Sequence, residues 1–180
     1  MKKPKLFLFI LFFIFMGRCF SEMIKVEELG GLLKRIGNYN PKSFEYSFKD
    51  RLILQKTVYL LQAFGLYLGY HFNWYLRGPY SITLARHGYE LVDIYDRLPS
   101  AAFADENAEK RFNSFLLFMS EIKEDAEMLE LLASLHFLRK RYPNFKKEEL
   151  FNELSRKVFV SRDKFEKAFH ILREYKLIQQ

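Results

Sequence analysis

The chain holds a single cysteine, Cys19, in 180 residues. It cannot form an internal disulfide, and this usage fits a reducing compartment. Cys19 also lies in an apolar leader, so it has no claim as a nucleophile. Proline (5) and glycine (8) are scarce, and scarce breakers favour a helix-rich fold. The apolar run from Leu6 to Met16 is short of the roughly 20 residues that a bilayer-spanning helix needs. The histidines His71, His87, His136 and His170 include no pair at i, i+3 or i+4, so zinc-type spacing is missing. Gly65, Gly69 and Gly78 lack the spacing and context of a phosphate-binding loop. No nucleophile–base pair is visible, which argues against an enzyme and against any cofactor. An enzyme with a scattered site near Gln55, Lys56 and Trp74 is the weakest of three functional readings.

What the chain does have is apolar bulk. Hydrophobic residues make up 49% and aromatics 18%, with 20 Phe and 11 Tyr, ample for a packed core. The net charge of +7 is unevenly spread. Between Arg139 and Lys176, twelve Lys/Arg stand against six Asp/Glu, while Met23 to Leu138 is close to −2. The basic character belongs to the C-terminal segment. The acidic run Glu121, Glu124, Asp125, Glu127 and Glu130 reads as a solvated face.

Residues 1–22 form a leader with a basic start and an apolar core at residues 6–16. Three readings compete: a signal peptide, a short anchor, or a misassigned start with Met23 as the true beginning. A start at Met23 implies a cytoplasmic protein. A retained leader implies export or a membrane anchor, and only then is a membrane a partner.

Residues 23–180 read as one compact, mainly α domain. The pattern predicts a helix over Ile24 to Ile36, weakened by Gly30-Gly31 and ended by Gly37. A second helix, capped by Ser47 or Asp50, runs to about Phe64. Ile53, Leu54, Val58, Leu60, Leu61 and Phe64 share one broad face, with Gln55, Tyr59 and Gln62 on another. Tyr70 to Tyr75 suits a short strand, Gly78-Pro79 a turn, and residues 68–80 a small hairpin. Ser81 caps a helix to about Arg97, with Gly88 allowing close packing. Further helices follow from Asp105 or Asn107 to Ile122, through Leu138 to a stop at Pro143, over Lys146 to Lys157, and after Ser161.

The stretch from Leu52 to Arg86 is the strongest feature. Tyr70, Phe72, Trp74 and Tyr75 either pack a core against the Gln55 helix or serve a recognition surface, where Tyr and Trp are favoured. Residues 145–180 resemble a helix-turn-helix unit, and Arg156, Lys157, Arg162, Lys164 and Lys167 are candidate phosphate contacts. They support the alternative of a nucleic-acid-binding regulator. Against it, basic residues on an exposed helix are usually only solvated.

"LQKTVYL" at Leu54–Leu60 and "WYLRGPYS" at Trp74–Ser81 resemble the signature of the Panacea, or SocA-like, antitoxin domain (phage-associated GepA-like proteins). The likeness is closer to its uncharacterised prokaryotic YwgA-like branch, which also carries an "LLASLHFL"-type helix, here Leu131–Leu138. The residues that carry it are Gln55, Lys56, Tyr59, Trp74, Gly78, Pro79, Tyr80 and Ser81. The resemblance implies a mostly helical, non-catalytic domain that binds and neutralises a toxin encoded nearby, or presents it as an adaptor. In that picture Gln55, Lys56 and the Ser81 helix start build a scaffold that Trp74 locks together.

Overall fold

The computed structural model describes residues 23–122 and 125–179. The leader and Glu124, on which expectations were placed, lie outside the described residues. Helix α1 (Val26–Ile36) starts two residues later than expected and ends at Gly37, whose φ of 75° suits a left-handed stop. Gly30 and Gly31 lie within the unbroken helix. A Cβ on Gly30 would sit 2.4 Å from the Leu98 side chain, and one on Gly31 2.6 Å from Ala101. Both glycines are where a later loop presses onto the helix.

A short helix α2 (Pro41–Phe44) follows, unanticipated from the sequence. Pro41 occupies its first turn, and the Asn40 side chain accepts from the Lys42 amide. Of the two caps considered for α3 (Phe48–Ala63), Ser47 takes the role, its Oγ accepting from the Asp50 amide at 3.1 Å. Strands β1 (Asn73–Tyr75) and β2 (Gly78–Tyr80) form one antiparallel hairpin. Ser81 caps α4 (Ile82–Ile94), which tightens into a 3-10 turn at Tyr95–Arg97. Gly88 does allow close packing, because a Cβ there would lie 2.5 Å from the Phe44 ring.

Asp105 caps α5 (Glu106–Ile122), with Phe112, Phe115 and Phe118 fully buried along it. Asp125 caps α6 (Ala126–Arg141). The chain ends with α7 (Lys147–Ser155) and α8 (Arg162–Glu174), the latter capped by Ser161. The described residues thus make a mainly helical single domain of eight α-helices and one two-stranded hairpin. Among them, no helix is long and apolar enough to cross a membrane.

The core sits around α3 and α6. Helix α6 packs against α3, α5, α7, α8 and β2. Residues Met128–Leu135 are buried without interruption, as are Leu52–Leu61 on α3. A helix enclosed on all sides shows little amphipathic contrast. That is why the second face of α3, with Gln55 and Tyr59, is as buried as its apolar face. It is also why Glu130, expected on a solvated face, is buried.

Candidate functional site

The polar stripe of α3 stitches down the segment that follows it. Gln62 sits at one end. Its Oε1 accepts from the amides of Leu68 (3.0 Å) and Tyr70 (3.1 Å), and its Nε2 donates to the Tyr70 carbonyl at 2.9 Å. One turn back, the Tyr59 hydroxyl pairs with His136 Nδ1 at 2.8 Å, and its ring packs edge-on against Phe72. At the other end, Gln55 Nε2 donates to the Ser81 carbonyl (2.9 Å) and Gln55 Oε1 accepts from the Ser81 amide (2.8 Å). This two-way pairing is what a neighbouring β-strand would offer, so Gln55 closes the end of β2 as a strand would. Lys56 Nζ donates to the Pro79 carbonyl at 2.8 Å.

Gly78-Pro79 is not the turn. The register places Tyr75 opposite Gly78 and Trp74 opposite Pro79, which leaves Leu76-Arg77 as a two-residue tip. Opposed residues in an antiparallel ladder alternate between bonded and non-bonded pairs. With its carbonyl turned to Lys56, Pro79 occupies a position that needs no N–H. Gly78 has φ 85°, and a Cβ there would lie 2.1 Å from Ser134 Oγ on α6. The hairpin therefore rests directly on α6, and only glycine fits the contact.

Beneath the tip, charge is buried. Arg77 Nε lies 3.2 Å from Glu130 Oε1. Burial pushes the Glu130 carboxyl up against the pull of Arg77 and Lys56, and burial brings the Lys56 ammonium down to about 8. The sequence offered no hint of Glu130 or Arg77 in these roles. The one available signal was Leu76, an apolar residue at a hairpin tip, where polar residues are the rule.

Trp74 does not lock α3 to the Ser81 helix. It is half-buried, its ring 5.9 Å from that of Phe137 on α6, with Lys157 Nζ 5.3 Å from the indole centroid. Tyr70 is buried, its hydroxyl 2.8 Å from His87 Nδ1, whereas Tyr75 is exposed. The aromatic stretch thus divides between packing and surface. Trp74→Ala is expected to cost about 1–3 kcal/mol, less than a fully enclosed tryptophan would. Denaturant unfolding reads this directly.

The two Tyr–His pairs have a pH consequence. Burial lowers His136 to about 4 and lowers His87 as well. An unfolded histidine, at 6.5, binds protons that the folded one refuses. Stability therefore falls as pH drops from 6.5 toward 4, by about 3 kcal/mol for His136. Chemical denaturation across that window should show the loss, and His136→Gln should flatten it.

The hairpin tip borders an apolar groove of about 340 Å³. Phe44, Phe48, Tyr75, Tyr80 and Tyr89 wall it, with Gln55 and Lys56 on the floor. Of its lining residues Phe48, Tyr75, Leu76 and Tyr89 are exposed, Leu76 at 77%. A second groove, bordered by Leu76 and the fully exposed Phe159, lies on the other side of the tip.

The basic residues of 145–180 are mostly engaged with carboxylates. Arg156 and Lys157 pair with Glu153, Arg162 with Glu148 and Glu166, and Lys164 with Glu127. No ion pair is found for Lys167 among the described residues. The helix pair α7–α8 has the order of a helix-turn-helix unit, but its cations do not form an uncompensated stripe.

The site thus comprises a hairpin braced by α3, two flanking grooves and an exposed apolar rim. The chain matches no family model, no curated protein and no solved structure.

Proposed function

We propose that this chain is a non-catalytic protein-binding module of antitoxin type, which binds and neutralises a partner protein or presents it as an adaptor. The observation that carries the reading is the exposed apolar rim formed by Phe48, Tyr75, Leu76 and Tyr89 around a groove. Exposed apolar side chains gathered at one site, rather than scattered singly, mark interaction surfaces. The signature residues support the same reading as braces. Gln55, Lys56, Gly78, Pro79 and Ser81 are buried and hold the hairpin, leaving its tip for contact. The resemblance to the Panacea and YwgA-like proteins points to a toxin as partner and to action in the cytoplasm.

A native pull-down with the tagged chain, with and without nuclease and read by mass spectrometry, tests the reading. A discrete, nuclease-resistant protein partner is expected. A partner encoded beside this gene should be toxic alone and harmless on co-expression. Recovery of nucleic acid, or of proteins that vanish with nuclease, would move the function to the basic residues Arg156, Lys157, Arg162, Lys164 and Lys167.

A further inference from the structure

Resting on that reading, we propose that the groove beside the hairpin tip takes an acidic segment of the partner protein, with a large apolar side chain inserted between Phe48 and Tyr89 and a carboxylate meeting Arg51 and Lys56. The charges of the groove set this choice. Its charged lining residues are Arg51, Lys56 and Arg77, and among the described residues no Asp or Glu lines it. Glu130 lines the second groove instead, where it pairs with Arg77.

The two remaining cations have donors to spare. Lys56 donates to Pro79 alone among the described residues, and an ammonium carries three protons. Arg51 uses Nη1 on the carbonyls of Phe44 and Glu45, at 3.0 and 2.8 Å. A carboxylate entering between aromatic walls would therefore meet charge-assisted donors in a place sheltered from water.

The surroundings favour a protein segment over a small carboxylate. A small ligand would need only the groove. The exposed apolar surface continues past it through Leu76 to Phe159 in the second groove, where only a larger partner reaches. The volume suits a side chain or two, as an anchor residue in a recognised peptide requires.

Selection of a displayed library of short random peptides on the full chain tests the proposal. Enriched peptides should carry a large apolar residue close to Asp or Glu. The best of them should lose affinity about tenfold or more on Leu76→Asp or Arg51→Gln, and on exchange of its acids for lysine. Leu117→Asp, at an exposed position of α5 that lines neither groove, should leave affinity unchanged. Thermal melts check that each variant folds.

Several results would overturn the proposal. Peptides without acidic residues, or affinity indifferent to both groove variants, would do so. So would no enrichment at all. Decanoate bound in place of any peptide would assign the groove to a small carboxylate, and self-association blocked by Leu76→Asp would assign it to a second copy. If a native partner were captured equally well by wild type, Leu76→Asp and Arg51→Gln, protein binding would stand and the groove's occupant would fall.

Discussion

Gly78→Ala is expected to destabilise the domain by about 2–5 kcal/mol, the sum of backbone strain and overpacking. The φ of 85° puts Gly78 where an L side chain is strained whatever the space. The new methyl would also fall 2.1 Å from Ser134 Oγ and 3.3 Å from Ser134 Cβ. Ser134 lies on α6 among residues buried without interruption, so it has little room to yield. The two causes can be separated. Ser134 Oγ is buried with no hydrogen-bond partner among the described residues, so Ser134→Ala alone should be neutral or slightly stabilising. Added to Gly78→Ala, it should return the clash part and leave the strain. Equilibrium denaturation of the two single variants and the double would show this as coupling beyond simple addition. Additive effects would mean that hairpin and helix do not touch at this point.

Gln55→Leu is expected to cost about 2–4 kcal/mol, although leucine keeps most of the volume. The loss comes from Ser81. Its amide donates only to Gln55 among the described residues, in a place closed to water, while its carbonyl accepts from both Gln55 and the Ala85 amide; leucine leaves the amide unsatisfied and takes one of the carbonyl's two bonds. The melting temperature should fall by about 5–10 °C. Gln55→Glu separates hydrogen bonding from shape. A carboxylate accepts from the Ser81 amide but cannot donate to the carbonyl, and it brings charge into the groove floor. It should be no better than leucine at neutral pH and improve in acid, as protonation restores a donor.

Much of this architecture could be read from the chain. Ser47, Ser81 and Ser161 each stand where a helix begins, because a side-chain hydroxyl there satisfies a free amide that has no other partner. The stripe Gln55, Tyr59, Gln62 was visible as helical spacing. Its use was not, because its partners lie beyond α3 in the chain and at His136 on α6. The tip at Leu76-Arg77 was displaced onto Gly78-Pro79, since those residue types signal turns. Here Gly78 serves a close approach to Ser134, and Pro79 fits a ladder position without a donor.

Glu130 failed for a similar reason. Its neighbours along the chain are acidic, but it faces Arg77 from the hairpin, a contact that no local pattern encodes. The basic C-terminal residues read as free charge because their carboxylate partners alternate with them along α7 and α8 or lie on α6. The groove itself arises from four separate stretches of chain. Leu76 was its one local trace, and with the turn placed at Gly78-Pro79 it did not read as an exposed apolar tip.

The central claim is that the hairpin face is the surface by which this chain holds another protein. The most direct measurement is a side-by-side native pull-down of wild type, Leu76→Asp and Leu117→Asp, with equal melting temperatures established first. Leu76 and Leu117 are both exposed apolar residues, at 77% and 66%, so the substitutions cost the fold comparably little. Wild type and Leu117→Asp should retain the same partner, and Leu76→Asp should lose it. A partner held equally by all three would place the binding surface elsewhere and contradict the account.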